Sequence, residues 1–192
     1  MTWYYCEMGG CAKGGLVRNG LNAAGYGCFF AGGLRAFLFG VDAGTDKSAA
    51  RDADVDIYEG KSGLWLVMIC ALIASTIHAQ DFRDEEGDKA RGRRTVQTAL
   101  GDAGARWFVV GAAVGWSVVI PRVLGLGVVV MGGLLGVAGV LAWAMLLSLW
   151  DGKRTVERDV WAYKVWIGWF VAVILAPLMQ YGVDVVVGAW LS

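Results

Sequence analysis

Five apolar stretches, each long enough to cross a lipid bilayer, dominate this sequence. They fall near residues 16–40, 62–80, 105–121, 123–148 and 164–190. Because about 20 helical residues span the hydrocarbon core of a bilayer, such stretches favour membrane-spanning helices. The chain has 192 residues, of which 57% are hydrophobic, and a mean hydropathy of +0.53, which is too apolar for an ordinary soluble domain. The sequence therefore predicts an all-α, polytopic membrane helix bundle of about five spans that forms a single domain over residues 1–192.

The connecting loops divide the positive charges unevenly. The loop 81–104 contains five Lys or Arg residues and the loop 149–163 contains three, whereas the loop 41–61 has three against six acids. Since Lys and Arg accumulate on the cytoplasmic side of membrane proteins, both basic loops are predicted to face the cytosol. We expect a multi-pass protein of the endoplasmic reticulum or another endomembrane, without a removable signal peptide.

The third and fourth apolar stretches are separated only by Pro121 and Arg122. Proline removes a helical hydrogen bond and kinks or ends a helix. The two stretches therefore form either a tight hairpin or one kinked element.

An acidic and basic run, QDFRDEEGDKARGRRT, follows the second stretch directly. It places Asp81, Asp84 and Asp88 at offsets of zero, three and seven, which is one face of a continuous helix. Three neighbouring carboxylates repel one another unless a cation or basic groups keep them ionised. Mg²⁺ usually combines one or two carboxylates with water and phosphate oxygens. The run predicts a Mg²⁺-diphosphate site in which these aspartates are metal ligands and catalytic groups; neutralisation by nearby Lys and Arg without metal is the alternative.

Basic residues follow these carboxylates. Lys89, Arg91 and Arg94 are the candidates for binding a diphosphate, because guanidinium groups match phosphate oxygens and Arg91 continues the face of Asp88. Metal-binding carboxylates and phosphate-binding cations together neutralise a leaving diphosphate as its carbon–oxygen bond breaks. The alternative is that the basic residues fix the topology and contact anionic lipid head groups.

Polar side chains also lie inside the first two predicted spans. Ser75 and His78 precede the first aspartate at steps of three, which predicts a polar cavity open to the cytosol. His78 is the only histidine in the chain and is either a structural hydrogen-bond partner or a proton carrier. Asn19 and Asn22, beside Arg18, either face this cavity or bind a neighbouring helix.

The acidic run is also familiar as a motif. The pattern QDxxDxxxDxxRGRRT resembles the second aspartate-rich motif of the UbiA superfamily of intramembrane prenyltransferases, and it is most similar to the fungal branch, which includes membrane-bound terpene cyclases. Residues 16–33 resemble the helix that precedes this motif. The resemblance implies nine spans around a central cavity, with two aspartate motifs that hold Mg²⁺ and an isoprenyl diphosphate. It also implies that Asp81, Asp84 and Asp88 are the carboxylates of the second motif, and that Arg91 or Arg94 lies near the diphosphate.

With about five spans and no first aspartate motif, the chain corresponds to the C-terminal half of such a bundle. Ionising an allylic diphosphate needs charge neutralisation in a dry cavity, so we expect activity to require the missing half, supplied by another subunit or by self-association. The expected function is that of a Mg²⁺-dependent prenyltransferase or terpene cyclase. The alternative is a non-catalytic membrane protein that binds a metal, a lipid head group or partner helices. Net charge is zero and no basic, aromatic-interleaved run occurs, so nucleic acid is not an expected partner.

Overall fold

The computed structural model describes the backbone of residues 14–45 and 60–191, and the side chains of residues 14–36, 60 and 62–180. All regular elements in these ranges are helices, so the all-α prediction is confirmed. They are α1 (Gly15–Thr45), α2 (Gly60–Thr76), α3 (Glu85–Ala90), α4 (Val96–Leu124), α5 (Val128–Trp150) and α6 (Val156–Leu191). One turn of 3₁₀ helix, Ile77–Gln80, continues α2. Most of the predicted loop 41–61 lies outside the described residues.

Among the residues that the structure describes, four helical segments are long and apolar enough to cross a membrane. They are Ser62–Gln80, Val96–Leu124, Val128–Trp150 and Val156–Gln180. Each of the five predicted spans overlaps a helix, although the fourth, 123–148, also includes the turn at residues 125–127. Helix α1, which carries Arg18 and two asparagines near its start, is not among these four. The prediction of a polytopic membrane helix bundle is confirmed.

Helix α4 begins earlier than the apolar pattern predicts. The hydroxyl of Thr95 accepts a hydrogen bond from the amide of Thr98 at 3.2 Å, and the hydroxyl of Thr98 accepts one from the amide of Thr95 at 2.9 Å. This reciprocal cap satisfies two amides that a helix start otherwise leaves free. The helical segment therefore starts at Val96 rather than near residue 105, but it is kinked at Gly101, whose φ of 74° and ψ of 165° are not helical. The segment 81–104 thus contains α3 and the part of α4 around this kink.

Helices α4 and α5 form a hairpin. Helix α4 continues through Pro121 and ends where Gly125 adopts the left-handed conformation, with φ 72° and ψ 31°. Glycine takes this conformation without a steric penalty, and the Gly125 amide donates to the carbonyl of Arg122 at 3.3 Å. The two apolar stretches are therefore separate helices and not one kinked element.

The helices pack mainly against their neighbours in the chain: α1 contacts α2, α2 contacts α4, α4 contacts α5, and α5 contacts α6. The core contains Ile69, Leu72, Val109, Leu141 and Trp169, all fully buried. Two indole groups connect helices by hydrogen bonds. Trp169 donates to the hydroxyl of Ser117 and Trp116 to the hydroxyl of Ser75, each at 2.9 Å. These bonds satisfy polar groups that would be costly to leave unpaired inside a membrane protein.

Gly15 lies where the start of α1 meets the start of α4. A Cβ atom on Gly15 would lie 2.7 Å from the carbonyl carbon of Thr95 and closer still to the amide nitrogen of Val96. Both are backbone atoms of a capped helix start, so neither can rotate away. We expect Gly15→Ala to lower the free energy of unfolding by about 1–3 kcal/mol, as overpacking does elsewhere.

Chemical unfolding in detergent micelles measures this effect. Gly20→Ala is the matched control in the same helix, because a Cβ at Gly20 meets no atom within 4 Å. Alanine favours a helix over glycine, so this control should be neutral or slightly stabilising. Equal destabilisation by the two variants would contradict the close approach of α1 to α4.

Candidate active site

The three motif aspartates do not share one helical face, so that part of the sequence prediction is wrong. An i, i+3, i+7 face needs an uninterrupted α-helix. Here α2 passes into a 3₁₀ turn, and residues 81–84 form further turns before α3 begins. Asp81 is 2% exposed and Asp88 is 5% exposed, whereas the side chain of Asp84 is 62% exposed. Asp81 and Asp88 therefore point into the protein, and Asp84 points away from them.

Phe82 accounts for the break between Asp81 and Asp84. Its side chain is buried, and its ring lies 4.5 Å from the guanidinium carbon of Arg106 on α4. This contact combines apolar burial with a cation–π interaction. The acidic residues that follow lie in the first turn of α3, where the helix dipole favours negative charge. The chain therefore turns after the buried Phe82, and the new helix α3 begins at Glu85.

Arg18 on α1 joins the two buried aspartates. One terminal nitrogen of its guanidinium contacts Asp81 Oδ1, and the other lies 3.4 Å from Asp88 Oδ2. Arg18 itself is 4% exposed. The two carboxylates are therefore close enough to share one cation. Arg18 lies beside Asn19 and Asn22 in the sequence, but its pairing with the aspartates was not predicted.

Asp88 has a second basic partner. Arg93 Nη1 donates to Asp88 Oδ1 at 3.2 Å, from a side chain that is 29% exposed. Two carboxylates and two guanidinium groups thus balance in charge. Basic groups therefore neutralise the buried acids in this arrangement.

The residues predicted to bind diphosphate lie apart from one another. Lys89 Nζ pairs with Glu85 Oε1 at 2.6 Å. Arg91 lines a cavity of about 560 Å³ together with Asp84, and Arg94 lines a different cavity of about 980 Å³. Asp88 and Lys89 line a third, of about 180 Å³. The structure does not bring the predicted site residues together in one cavity.

The largest of these cavities lies between α1, α2 and the start of α4, and its lining is mostly apolar. Its lining residues include Leu16, Asn19, Ser75, Arg94, Leu100 and Phe108. Ser75 lines this cavity, as predicted. The rest of the polar lining that the sequence led us to expect is limited to a few groups near the starts of α1 and α4. The cavity combines a long apolar wall with a cationic side chain, which suits an amphiphile with an anionic head.

His78 does not line any of the three cavities described above. It is 1% exposed, and its ring centroid lies 5.4 Å from that of Phe108. Asn19 Nδ2 lies 3.5 Å from His78 Nδ1 and donates to the carbonyl of Ala74 at 3.1 Å. Asn19 thus binds the neighbouring helix α2, one of the two roles expected for it, and His78 contacts Asn19 in the same cluster.

A metal site of three carboxylates is not formed by the part of the chain that the structure describes, where no three His, Cys, Asp or Glu residues are placed to hold one ion. Mg²⁺ nevertheless usually takes only one or two carboxylates. Asp81 and Asp88 already share a cation, and Asp81 Oδ2 is buried without a hydrogen-bond partner. These two residues fit a shared metal ion, whereas Asp84 stands apart from them.

A second buried ion network, centred on Arg106, packs against the motif segment through Phe82. It was not predicted from the sequence. Arg106 is 1% exposed and binds Asp102 Oδ2 at 3.0 Å, Asp159 Oδ1 at 2.6 Å and the carbonyl of Met145 at 3.2 Å. It thereby links α4, α5 and α6. The i, i+4 spacing of Asp102 and Arg106 was the available signal, but Asp159 is too distant in sequence to be found by periodicity.

Arg154 connects this network to the motif. It contacts Glu85 at the start of α3, and it lies 3.4 Å from Asp102 and 3.3 Å from Asp159. These contacts bring segments 81–104 and 149–163 to the same end of the bundle. Both basic segments therefore lie at one end of the bundle, and the side of the membrane that they face stays a prediction.

Glu85 and Arg154 are held in their charged forms. Burial raises the pKa of Glu85, but the hydrogen bond from Lys89 and the charge of Arg154 outweigh it and leave the pKa below its ordinary value. Burial lowers the pKa of Arg154, but Asp102, Asp159 and Glu85 outweigh this effect and raise it. A lowered carboxyl pKa contributes stability above the unfolded-state pKa and loses it as pH falls through the folded-state value. The contact of α3 with Arg154 therefore persists at neutral pH.

Comparison with known proteins identifies the family of the chain. The UbiA prenyltransferase family matches residues 21–168. The chain therefore belongs to the UbiA prenyltransferase family, whose members act on isoprenyl diphosphates in membranes, and the resemblance inferred from the motif is confirmed.

Two curated relatives are fungal terpene-forming enzymes. The chain is 32% identical over 110 residues to the fumagillin beta-trans-bergamotene synthase of Aspergillus fumigatus, which covers 57% of this chain and 33% of that protein. It is 34% identical over 82 residues to a diterpene cyclase of Hericium erinaceus, which covers 41% of this chain and 26% of the relative. The chain thus spans about a third and a quarter of the lengths of these relatives. No solved structure matches it significantly.

Proposed function

We propose that this chain is the second-motif half of a UbiA-type intramembrane enzyme that acts on an isoprenyl diphosphate, as a terpene cyclase or a prenyltransferase. The observation that carries the proposal is the convergence of Asp81 and Asp88 on one cation position, at one end of an apolar helix bundle. Membership of the family and similarity to two terpene-forming enzymes support it.

Asp81 and Asp88 are the residues that would hold Mg²⁺. A bound Mg²⁺ neutralises charge on a departing diphosphate. The protein's own contribution is to hold both carboxylates buried and close together, which their shared contact with Arg18 supports. Departure of the diphosphate leaves an allylic cation, which the substrate's own double bonds or an acceptor then capture.

Arg91 and Arg94 are the better candidates for contacting the diphosphate. Both are exposed and, among the residues that the structure describes, neither forms an ion pair, whereas Lys89 is already paired with Glu85. A free guanidinium group can bind phosphate oxygens without first losing a carboxylate partner. Arg94 also lines the apolar cavity of about 980 Å³, which is large enough for an isoprenyl chain.

We place the motif at the cytosolic face of an endomembrane, most simply the endoplasmic reticulum. The two basic segments meet at the same end of the bundle through Arg154, and positive charge accumulates on the cytosolic side. In a complete bundle of this family, the first aspartate motif would face Asp81 and Asp88.

One observation favours a second, non-catalytic function. Arg18 and Arg93 already neutralise the buried carboxylates, so the motif is electrostatically complete without a metal ion. A membrane protein that binds a lipid head group or partner helices would use the same ion pairs to hold its fold together.

Microsomal assays distinguish the two functions. The chain is produced alone and together with the N-terminal part of the Aspergillus fumigatus relative, and release of diphosphate from farnesyl and geranylgeranyl diphosphate is measured with Mg²⁺. We expect release only from the combined preparation, because charge neutralisation from both sides of the cavity is needed. Absence of release, although both parts are present in the membrane and associate, would favour the non-catalytic function.

A further inference from the structure

Arg18 is a fully buried cation at the position that a metal ion would share between Asp81 and Asp88. We propose that Arg18 is an exchangeable counter-ion of the motif: a divalent cation displaces its guanidinium group from the two carboxylates, and the freed group binds phosphate oxygens of the diphosphate. This proposal rests on the proposed function and adds a diphosphate-binding residue from α1, outside the aspartate motif.

The charges of the site couple the binding of a metal ion to the binding of a diphosphate. Arg18 and Arg93 balance Asp81 and Asp88, so a divalent cation that entered without displacing either would leave two uncompensated positive charges in a buried site. Buried, uncompensated charge is strongly unfavourable. A diphosphate supplies the negative charge that balances both the metal ion and the displaced guanidinium. Metal and diphosphate should therefore bind cooperatively, and the metal alone should bind weakly.

The hydrogen bonding of the pair is incomplete. Arg18 Nε and Asp81 Oδ2 are both buried, and neither has a hydrogen-bond partner. Buried polar groups are nearly always paired, so two orphan atoms in one ion pair indicate that the arrangement lacks a ligand. A phosphate oxygen satisfies an N–H donor, and a metal ion satisfies a carboxylate oxygen. The two unpaired atoms therefore match the two parts of a metal–diphosphate complex: Arg18 Nε matches the phosphate and Asp81 Oδ2 matches the metal ion.

The geometry of Arg18 also suits the exchange. Its guanidinium group presents two terminal nitrogens to two different carboxylates, and the same planar fork binds two phosphate oxygens. Arg18 lies in the first turns of α1, next to Asn19, which lines the large apolar cavity. A diphosphate bound by Arg18 would therefore lie close to the cavity proposed for the hydrocarbon chain.

Mn²⁺ binding to the purified full chain in detergent micelles tests the proposal. Free Mn²⁺ is measured by electron paramagnetic resonance, with and without inorganic pyrophosphate, after subtraction of the Mn²⁺-pyrophosphate complex that forms in solution. In the wild-type chain we expect pyrophosphate to tighten Mn²⁺ binding at least about tenfold, within the usual range of coupling between sites. In Arg18→Gln we expect Mn²⁺ alone to bind about tenfold more tightly than in wild type, and the effect of pyrophosphate to fall below about threefold.

Arg122→Gln is the matched control. It removes an exposed arginine at the far end of α4 and leaves both buried aspartates with their partners, so pyrophosphate should still tighten Mn²⁺ binding as in wild type. Arg18→Lys keeps the positive charge but not the planar guanidinium fork. It replaces Arg18→Gln in this test if circular dichroism shows that Arg18→Gln does not fold. For Arg18→Lys we expect weak binding of Mn²⁺ alone and a reduced pyrophosphate effect.

The outcomes separate this proposal from the proposed function. If Mn²⁺ binds wild type and Arg18→Gln equally, and Asp81→Asn abolishes binding in both, the exchange is wrong and the metal-binding role stands. A wild-type pyrophosphate effect in Arg18→Lys would also overturn the phosphate-binding role of Arg18. If Asp81→Asn does not weaken Mn²⁺ binding in any variant, with or without pyrophosphate, the metal-binding role itself is wrong.

Discussion

Asp81→Asn is expected to reduce diphosphate release by the complete bundle at least about 100-fold, the usual effect of removing one group that stabilises transition-state charge. Asparagine has nearly the shape of aspartate, but it cannot supply the negative charge that Arg18 contacts in the structure and that a metal ion would need. The loss should therefore appear in turnover even where the protein remains folded. Turnover is measured as pyrophosphate release from farnesyl or geranylgeranyl diphosphate.

Glu157→Gln is the matched control for this experiment. Glu157 is an exposed acid at the same end of the bundle and is not part of the motif. Exposed substitutions of this kind have small effects, so turnover should stay within about twofold of wild type. If Asp81→Asn retained more than about a tenth of wild-type turnover, the proposed role of Asp81 would be wrong.

Arg106→Met is expected to cause the largest loss of stability in the chain. Methionine removes the guanidinium group that binds Asp102 and Asp159, and Asp159 is only 3% exposed. Removing one partner of a buried ion pair typically costs about 3–5 kcal/mol, because the other charge remains buried and unpaired. Arg154 still contacts Asp159 at 3.3 Å, which should keep the loss from exceeding this range.

Unfolding in mixed micelles with increasing denaturing detergent measures this loss. Arg158→Met is the control, since Arg158 pairs with Asp151 at the surface and an exposed ion pair contributes little. Replacing Asp159 by Asn in the Arg106→Met background should restore part of the stability, because it removes the unpaired charge. Similar stability of Arg106→Met and Arg158→Met would contradict a structural role for the buried network.

The helices were predictable because membrane spans are encoded locally. A run of apolar residues identifies a span without knowledge of what the span contacts, and each of the five predicted spans overlaps a helix. The start of α4 was missed because its signal lies outside the apolar run. Thr95 and Thr98 form a polar cap, and this pair of hydroxyl groups extends the helix beyond the apolar pattern.

The aspartate motif was recognised from the sequence, but the relative positions of its three carboxylates were not predicted correctly. The spacing of Asp81, Asp84 and Asp88 gives one face only if the helix continues, and burial of Phe82 turns the chain between the first two. Sequence periodicity does not report such a turn, because the partner that buries Phe82 is Arg106 on another helix. The pairing of Asp81 with Arg18 spans 63 residues and is likewise a property of the tertiary fold.

The most direct test of the central claim, that this chain supplies the metal-binding half of an isoprenyl diphosphate enzyme, is the Mg²⁺ dependence of diphosphate release by the complete bundle. Wild-type membranes are stripped with EDTA, assayed, and assayed again after excess Mg²⁺ is added. We predict that release stops in EDTA and returns with Mg²⁺. Release that continues at the full rate in EDTA would contradict the account.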